Sequence, residues 1–447
     1  MSARRRVHYI ALRRNVCPTN GELYDSLLAF CMIAGVLLER AVAGRYQDTV
    51  TARRVTVLTG PRQAGKTTLV QSQLRGGTLR SLDDQGTLDA AVADPVGFLA
   101  LGARPLVIDE IQRAGEPLVR AIKLAVDRNP APGQFVLTGS SNFLTVPTIS
   151  ESLAGRAGFV EIWPFTQGEV SGKPDRFIDL ALTGPAAFGA YRPSRFSRRD
   201  LLERACTGGY PEIRRLAARE RPGWFRDYVL TTIERDVVQL SGIRKVAEMG
   251  QLLRLFAART GCELVMQGII DDASLERQAV YDHRAWLETI HLITTLPAWS
   301  RNLTRRVKKH PKIFLTDPGL AAWLLGKTPD ALESPTDPAT GQLVETFVFN
   351  ELRRQLTWAA IDVNMFHWQD RSGAEVDIIL EAADGRVAAI EVKTGQTAKP
   401  EWFRWLGQVR DALADKFMTG IALYTGNEVL PFGDRLLAAP VSSLWEL

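Results

Sequence analysis

The sequence predicts an α/β chain of three parts: a parallel sheet covered by helices, a mostly helical middle part, and a smaller α/β part at the C-terminus. Three observations predict it. Short apolar runs alternate with helix-like stretches between Val55 and Leu137, which is the order typical of a parallel sheet. The pattern is then mostly helical from Leu201 to about Leu325. After Pro338 a helical stretch precedes two apolar runs of strand length, so α/β structure returns.

The composition is that of a globular chain. At about 150 residues per domain, 447 residues suggest about three domains, and 45% apolar with 23% charged residues exclude a disordered or collagen-like chain. The net charge of +5 comes from five arginines that precede the first acid, Glu22, so we expect any nucleic-acid contact to be local. The four cysteines lack metal spacing, which predicts reduced thiols and no structural zinc.

The N-terminal residues 1–31 have little periodicity, and Met32 opens a fresh amphipathic pattern. We therefore expect an N-terminal extension, disordered or artefactual, before the folded part. The apolar run from Leu27 to Leu38 is about a dozen residues long where a membrane span needs about 20. With its basic start it imitates a secretory signal, but the nucleotide chemistry below favours a cytoplasmic chain without membrane contact.

Elements and boundaries follow from pattern changes along the chain. Helical spacing at 37, 38, 41 and 42 predicts a helix before the first strand. The predicted strands cover 55–58, 78–82, 105–108 and 134–137, and the predicted helices between them cover 66–74 and 118–127. Gly, Pro and Arg fill 177–199, and three prolines follow residue 328. We predict domains at 32–176, 200–328 and 329–447, with 177–199 as a connector.

A phosphate-binding loop follows the first strand. Residues 60–67 satisfy G-x-x-x-x-G-K-[ST] and open a helix, as the motif requires. Glycines let backbone amides approach phosphate oxygens at a helix N-terminus, Lys66 reaches the β and γ phosphates, and Thr67 is placed to ligate Mg²⁺. The predicted ATP-binding residues are Gly60, Pro61, Arg62, Gln63, Ala64, Gly65, Lys66, Thr67, Thr68 and Asp109.

The acidic partner of this loop is the pair Asp109-Glu110 at the end of a buried run. We expect Asp109 to join the Mg²⁺ shell and Glu110 to polarise an attacking water. The next strand ends in small polar residues, from which Ser140 or Asn142 would lie between Asp109 and the γ phosphate. Arg156 follows shortly, and an arginine near the nucleotide neutralises transition-state charge in cis or from a neighbouring subunit. The alternative for Arg156 is a surface arginine.

These motifs together resemble a bacterial and archaeal family of AAA-type ATPases. The matching stretches are GPRQAGKTTL, LVIDEIQ, FVLTGSSNFL, SLAGRA, WPF, GGYPE, ERDV and PKIFLTDPGLAAWLL. The family carries a winged-helix segment and a C-terminal domain of unknown function that looks like a restriction endonuclease. The resemblance runs from about Met32 to the C-terminus and implies ATP binding, ATP hydrolysis and assembly of like subunits.

The middle part has the order of a winged helix-turn-helix. Three helical stretches at 251–260, 273–280 and 282–290 precede strand-like runs at 292–297 and 312–315. Six cations without an acid lie between the two strands, where a wing would meet a phosphate backbone: Arg301, Arg305, Arg306, Lys308, Lys309 and Lys312. A solvated hairpin or a protein-binding winged helix remains an equal alternative to DNA binding.

The last part has the acidic layout of restriction-endonuclease-like folds. Glu345 lies on a predicted helix, Asp377 in the next strand, and Glu391 with Lys393 at the end of the strand after it. Three carboxylates of this kind predict a nuclease metal site in which Lys393 orients water or stabilises the charge that develops on the phosphate. The alternative is a degenerate fold in which Lys393 pairs internally with a carboxylate.

Three functions follow. The first is an oligomeric, nucleic-acid-associated ATPase whose nucleotide state controls the nuclease-like part. The second is a slow signalling switch whose middle and C-terminal parts bind protein, and a remodeller with a C-terminal adaptor is a third.

Overall fold

The elements follow each other in three groups along a computed structural model. It describes residues 32–33, 36–139, 153–173, 175–234, 246–300, 309–334, 336–370 and 373–447. From Cys31 onward the chain packs as one unit. The extension 1–31 and the residues Ser140, Asn142 and Arg301 to Lys308 lie outside the described residues.

The first group is a five-stranded parallel sheet. Its strands are β3 (Val55–Thr59), β4 (Thr78–Ser81), β5 (Leu106–Asp109), β6 (Phe135–Thr138) and β7 (Ala157–Glu161), and they pair in the order β4-β5-β6-β3-β7. A short antiparallel pair precedes them, β1 (Met32–Ile33) and β2 (Val36–Leu37). The strands β3, β6 and β5 are parallel neighbours. The phosphate loop, Asp109 and the last residue of β6 therefore meet at the carboxyl ends of these strands.

Helices cover both faces of this sheet. They span Ala43–Ala52, Lys66–Gln73, Gln85–Ala93, Pro95–Ala100 and Gly115–Arg128. The last one buries Leu118, Ile122 and Val126 at helical spacing, and β3 is buried at all five positions, as a strand covered on both faces must be. The helix expected from residue 37 instead begins at Ala43, because residues 36–37 form strand β2.

The middle group is mostly helical. Its helices span Gln167–Ser171, Phe177–Ala181, Arg198–Thr207, Arg221–Thr232, Val246–Ala257, Met266–Ala273 and Arg277–Thr289. An antiparallel hairpin follows, made of β8 (Ile293–Leu296) and β9 (Lys312–Leu315). Three helices and a strand pair therefore occur in the predicted order, although each helix begins several residues earlier than its pattern indicated.

The third group is a six-stranded mixed sheet. Its strands are β10 (Val363–Gln369), β11 (Glu375–Ala382), β12 (Val387–Val392), β13 (Phe417–Tyr424), β14 (Leu430–Pro431) and β15 (Leu436–Pro440), in the order β10-β11-β12-β13-β15-β14. The helices around it span Pro318–Leu324, Pro329–Leu332, Ala339–Gln355, Arg404–Leu413 and Ser443–Glu446. The long helix Ala339–Gln355 is buried along most of its length, because it touches all three groups.

The middle and third groups share one hydrophobic core. A single cluster of buried side chains runs from Phe177 to Trp445 and crosses the expected boundary at residue 328. The expected connector 177–199 also contributes to it through Phe177, Phe188 and Phe196. Prolines and glycines there mark turns within a packed segment rather than a linker. In the part of the chain that the structure describes, no helix is both long and apolar enough to cross a membrane.

Candidate nucleotide site and carboxylate cluster

The phosphate loop is shaped by backbone angles that favour glycine. Gly60 has φ +133°, and a Cβ there would lie 2.1 Å from the carbonyl oxygen of Ile162. Gly65 has φ +96° and directly precedes the helix Lys66–Gln73. The loop therefore passes close to the end of β7 and delivers a helix N-terminus, where unpaired amides attract anions.

Lys66 lies folded against its own loop. Its ammonium donates to the carbonyl oxygens of Gly60 and Pro61 at 2.8 Å each, and the residue is 7% exposed. Phosphate oxygens are stronger acceptors for an ammonium than peptide carbonyls, because they are charged. The position is therefore one from which Lys66 can turn to a phosphate chain.

Oxygen atoms of three side chains meet beside the loop. The Thr67 hydroxyl lies 3.3 and 3.2 Å from the two carboxylate oxygens of Asp109, and the Thr138 hydroxyl donates to Oδ1 of the same carboxylate. Hydroxyl and carboxylate oxygens are the donors that Mg²⁺ prefers, so these residues fit the ion that accompanies ATP. Thr138 was missed from the sequence; its signal was a polar residue at the end of an apolar strand, which we had assigned to Ser140 or Asn142.

Glu110 follows Asp109 at the sheet edge in a left-handed conformation, with φ +57°. Its carboxylate accepts a hydrogen bond from the Gln112 amide. The left-handed turn matters because adjacent residues of a strand point to opposite faces. Leaving the strand at Glu110 lets both acids lie at the same end of β5.

Arg40 supports the loop from behind. Its guanidinium donates to the carbonyl oxygens of Ala64 at 2.8 Å and Trp163 at 2.6 Å, and it pairs with Glu169 at 2.9 Å. It also lies 4.7 Å from the ring centre of Phe165. Sequence reasoning gave no sign of this residue, because every one of its partners is distant in sequence or belongs to the backbone.

A cavity of about 180 Å³ adjoins the loop on the side of the helix that Lys66 opens. Its lining residues are Leu38, Glu39, Arg40, Gly65, Thr68, Leu69, Ser72 and Gln73. The lining combines apolar, amide and hydroxyl groups with the charged residues Glu39 and Arg40, and apolar walls with a few polar groups can hold a heterocycle with hydrogen-bonding edges. A nucleotide whose phosphates met the loop would thus find room for its base here.

The middle group covers the opposite side of the loop. The Tyr228 hydroxyl lies 3.4 Å from the carbonyl oxygen of Arg62, and Tyr228 stacks on Trp224 with ring centres 5.0 Å apart. The imidazole of His291 lies edge-on to Trp163. Residues of the middle group therefore pack against the phosphate loop and against Trp163.

Arg156 lies at the wrong edge of the sheet to act on ATP bound to its own chain. It directly precedes β7, and Ala157 pairs with Val55, the first residue of β3, while the phosphate loop follows the last. Four residue steps of about 3.3 Å separate the two edges by about 13 Å. Its guanidinium makes two bonds to Asp127, at 2.6 and 2.9 Å. This placement gives no support to action in cis, and action on a neighbouring subunit stays a prediction.

The C-terminal carboxylates do meet, but they surround a lysine. Lys312, from β9 of the middle group, lies 2.8 Å from Glu345, 2.5 Å from Glu375 and 3.5 Å from Asp377. Lys393 pairs with Glu391 at 2.6 Å. Asp377 also accepts the amide of Val392 at 2.8 Å. Lys312 itself is 2% exposed, so the cation is enclosed by the site.

The charges of this carboxylate cluster nearly balance by protonation. Burial and the neighbouring Asp377 raise the pKa of Glu345 to about 8, and the same two causes raise the pKa of Glu391 to about 8. Burial alone would lower the pKa of Lys312, but Glu345 and its neighbours raise it. Four carboxylates face two ammonium groups, so the raised pKa values of Glu345 and Glu391 act to lower the excess negative charge of the cluster.

This arrangement does not support the predicted metal centre at Glu345, Asp377 and Glu391. Among the described residues no group of three or more His, Cys, Asp or Glu side chains is placed to hold a metal ion. The cation that Glu345, Glu375 and Asp377 surround is Lys312, one of the six cations predicted for the basic loop. The internal pairing of Lys393 matches the alternative given for it above.

Two members of the predicted basic loop are described, and both contact their own chain. Lys312 is buried in the carboxylate cluster, and Lys309 donates to the carbonyl oxygen of Gln369. The other four lie outside the described residues.

Comparison with known families assigns the first group. Residues 52–171 match the family model of an AAA domain, residues 198–331 a domain of unknown function (DUF8612), and residues 340–444 another domain of unknown function (DUF4143). The match over 52–171 contains the loop, Asp109 and Glu110. Residues 52–171 form a P-loop ATPase domain.

Relatives extend along most of this chain. An uncharacterised protein of Mycobacterium tuberculosis and one of Mycobacterium bovis are each 29% identical over 422 residues, covering 92% of this chain and 86% of the relative. Among solved structures, a Walker-type ATPase of Pyrococcus abyssi covers 67% of this chain and 99% of its own, with 15% identity and a TM-score of 0.42. At that TM-score the structural likeness adds nothing to the assignment.

Proposed function

We propose that this chain binds ATP with Mg²⁺ and hydrolyses it, and that the nucleotide state is passed to the middle and C-terminal groups. One observation carries the proposal: the Thr67 hydroxyl and the Asp109 carboxylate lie 3.2 Å apart beside a buried Lys66. Mg²⁺ would neutralise charge on the β and γ phosphates there. Lys66 would leave its loop carbonyls for those phosphates, and Glu110 would polarise the attacking water.

Two substitutions separate binding from hydrolysis. Lys66→Ala removes the cation at the phosphates and should abolish tight ATP binding. Glu110→Gln keeps Asp109 and should bind ATP normally but hydrolyse it at least about 100-fold more slowly. Isothermal titration gives the affinity and phosphate release gives the rate. Wild-type turnover in Glu110→Gln would refute the role of Glu110.

A slow switch is the second candidate, and the cover over the loop favours it. Tyr228 of the middle group lies against the carbonyl oxygen of Arg62 in the loop, and Lys66 is folded back on the same loop, so a change of the loop on ATP binding would reach the middle group. A switch would show slow turnover with or without DNA, whereas a DNA-associated ATPase would turn over faster when duplex is added.

The same experiments bear on DNA and on the C-terminal group. Arg305→Ala with Arg306→Ala and Lys308→Ala should weaken duplex binding and flatten its salt dependence by roughly one unit per lost phosphate contact. Lys309 and Lys312 are left intact because they contact their own chain.

For the C-terminal group we propose a protein-binding adaptor, since a lysine fills its carboxylate cluster.

Assembly of like subunits remains part of the proposal. If Arg156 acts on a neighbour, then Arg156→Ala mixed with Lys66→Ala should recover some activity, because each subunit completes the other's site. Sedimentation with ATP checks the assembly, and a monomer at all concentrations would remove this part of the proposal.

A further inference from the structure

His291 is a buried side chain that the ATPase chemistry above does not use. It follows the helix Arg277–Thr289, has φ +58° and is 8% exposed. Its Nε2 is buried without a hydrogen-bond partner among the described residues. Buried polar atoms almost always have a partner, so an orphaned one inside a domain contact indicates a missing ligand.

The neighbours of His291 place it against the phosphate loop. Its ring lies 5.5 Å from the ring centre of Trp163, edge-on. Trp163 follows Ile162, whose carbonyl oxygen faces Gly60, and its own carbonyl oxygen accepts the Arg40 guanidinium. Burial lowers the pKa of His291 to about 3, and the next cause is the Lys66 ammonium. The imidazole is thus close enough to Lys66 to feel its charge.

We propose that Nε2 of His291 donates a hydrogen bond to a phosphate oxygen of the bound nucleotide. The proposal rests on ATP binding at this loop. Lys66 donates hydrogen bonds to two loop carbonyls. When the Lys66 ammonium bonds the phosphates of a nucleotide instead, a phosphate oxygen would lie next to His291 as an acceptor. Because His291 joins the helix Arg277–Thr289 to β8, the contact would report the presence of nucleotide directly to the middle group.

A purely conformational role for His291 makes a different forecast. A residue with φ +58° is tolerated best as Gly or Asn. Asn places its amide nitrogen near the position of Nδ1, whereas Gln reaches the position of Nε2. His291→Asn therefore preserves the backbone, and His291→Gln preserves the donor that the proposal needs.

The test measures ATP and ADP affinity of the full chain by isothermal titration with Mg²⁺. We expect His291→Ala and His291→Asn to weaken binding about tenfold or more, as for a lost hydrogen bond to a charged group, and His291→Gln to stay within about threefold. A loss for ATP alone assigns the contact to the γ phosphate; an equal loss for ADP assigns it to the others.

Two results would overturn the proposal. One is unchanged affinity in His291→Ala; the other is rescue by Asn but not by Gln, which would mark a backbone role. Melting temperatures without nucleotide show whether each variant is folded. Lys66→Ala serves as the reference: if the wild type binds no more nucleotide than Lys66→Ala does, the proposed function itself fails, whereas a binding wild type with a silent His291 fails only this inference.

Discussion

At the scale of single residues, the phosphate loop depends on an arginine outside the motif. Arg40 fixes the carbonyl oxygens of Ala64 and Trp163 and pairs with the 4% exposed Glu169. Glu169 also caps the helix Gln167–Ser171 by accepting the amide of Thr166. A buried charge is tolerated only with its partner, so Arg40 is required for folding and for loop shape together.

Replacing Arg40 should therefore cost both stability and ATP affinity. Arg40→Met keeps the apolar stem but leaves Glu169 buried without its cation, which costs about 3 kcal/mol. Urea unfolding measures the loss, and titration with ATP measures the weaker binding. Arg53→Met is the control, since Arg53 is exposed just after the helix Ala43–Ala52, which Arg40 precedes, and it should change neither. An Arg40→Met protein as stable as the wild type would contradict the role.

What the sequence reveals at this scale depends on separation along the chain. Lys66, Thr67 and Asp109 belong to local patterns with a required order, and the structure brings them together as expected. Lys312, Arg40 and His291 act through partners 24 to 225 positions away, or through the backbone. Neither hydrophobic periodicity nor motif spacing predicts a contact between residues this far apart in the sequence. These residues could therefore be found only from the structure.

At the scale of elements, strand order decides which side chains reach the site. β6 lies between β3 and β5, so the residue that ends it stands beside both the loop and Asp109. The alternation of runs predicted a parallel sheet but not this order, because hydrophobic pattern does not record which strands are neighbours. Thr138, the last residue of β6, could therefore not be assigned to the site from the sequence.

Thr138→Val should slow hydrolysis while ATP binding stays near normal. The change keeps the shape of the side chain but removes the hydroxyl that bonds Asp109, so the carboxylate loses part of its orientation. We expect a drop of about tenfold in phosphate release and a need for more Mg²⁺. Thr56→Val, buried in β3, is the control; an equal drop there would show a general packing effect.

The strand β9 delivers Lys312 into the carboxylate cluster, which gives stability a defined pH dependence. Glu345 and Glu391 keep a proton in the folded chain up to a pKa of about 8, against 4.5 when unfolded. A raised pKa of a carboxyl group adds to the free energy of unfolding. This contribution is fully present below pH 4.5 and is lost as the pH rises to about 8. Each group contributes a slope of at most about 1.4 kcal/mol per pH unit.

Glu345→Gln tests this slope, because the amide resembles the protonated acid at every pH. The free energy of unfolding of the wild type, measured in urea from pH 5 to 9, should fall more steeply than that of the variant. Glu401→Gln, at a carboxylate that is 68% exposed, should leave the slope unchanged. Equal slopes in Glu345→Gln and wild type would mean that Glu345 is ionised in the folded protein.

At the scale of the whole molecule, composition and packing disagree about domains. Three prolines after residue 328 indicate a linker, yet the buried cluster is continuous from Phe177 to Trp445. The helix Ala339–Gln355 adds polar ties: Arg354 donates to the carbonyl oxygen of Phe165 at 2.7 Å, and Glu351 accepts the amide of Gln167 at 2.8 Å. Prolines and glycines in the sequence indicate where the chain turns, but they do not indicate which parts of the chain pack against each other.

The C-terminal group should therefore fail to fold by itself. A fragment from Thr336 to Leu447 would expose the side of the helix Ala339–Gln355 that packs on the middle group, where Phe349 stacks on Phe314 within the shared core. An apolar surface of this extent is not tolerated by a monomer, and the carboxylate cluster would lose Lys312 as well. We expect no cooperative melting transition from the fragment.

A protease site placed at residue 335 of the full chain provides the matched experiment. After cleavage the two pieces should stay together on gel filtration, because the shared core and the ties through Arg354 and Glu351 do not depend on the linker. The uncleaved chain with the same insertion is the control, and its melting temperature should lie close to that of the wild type. A separated C-terminal piece that melts cooperatively near the melting temperature of the full chain would show that this group is an independent domain. The nucleotide state would then reach the C-terminal group through a movable linker and not through a shared core.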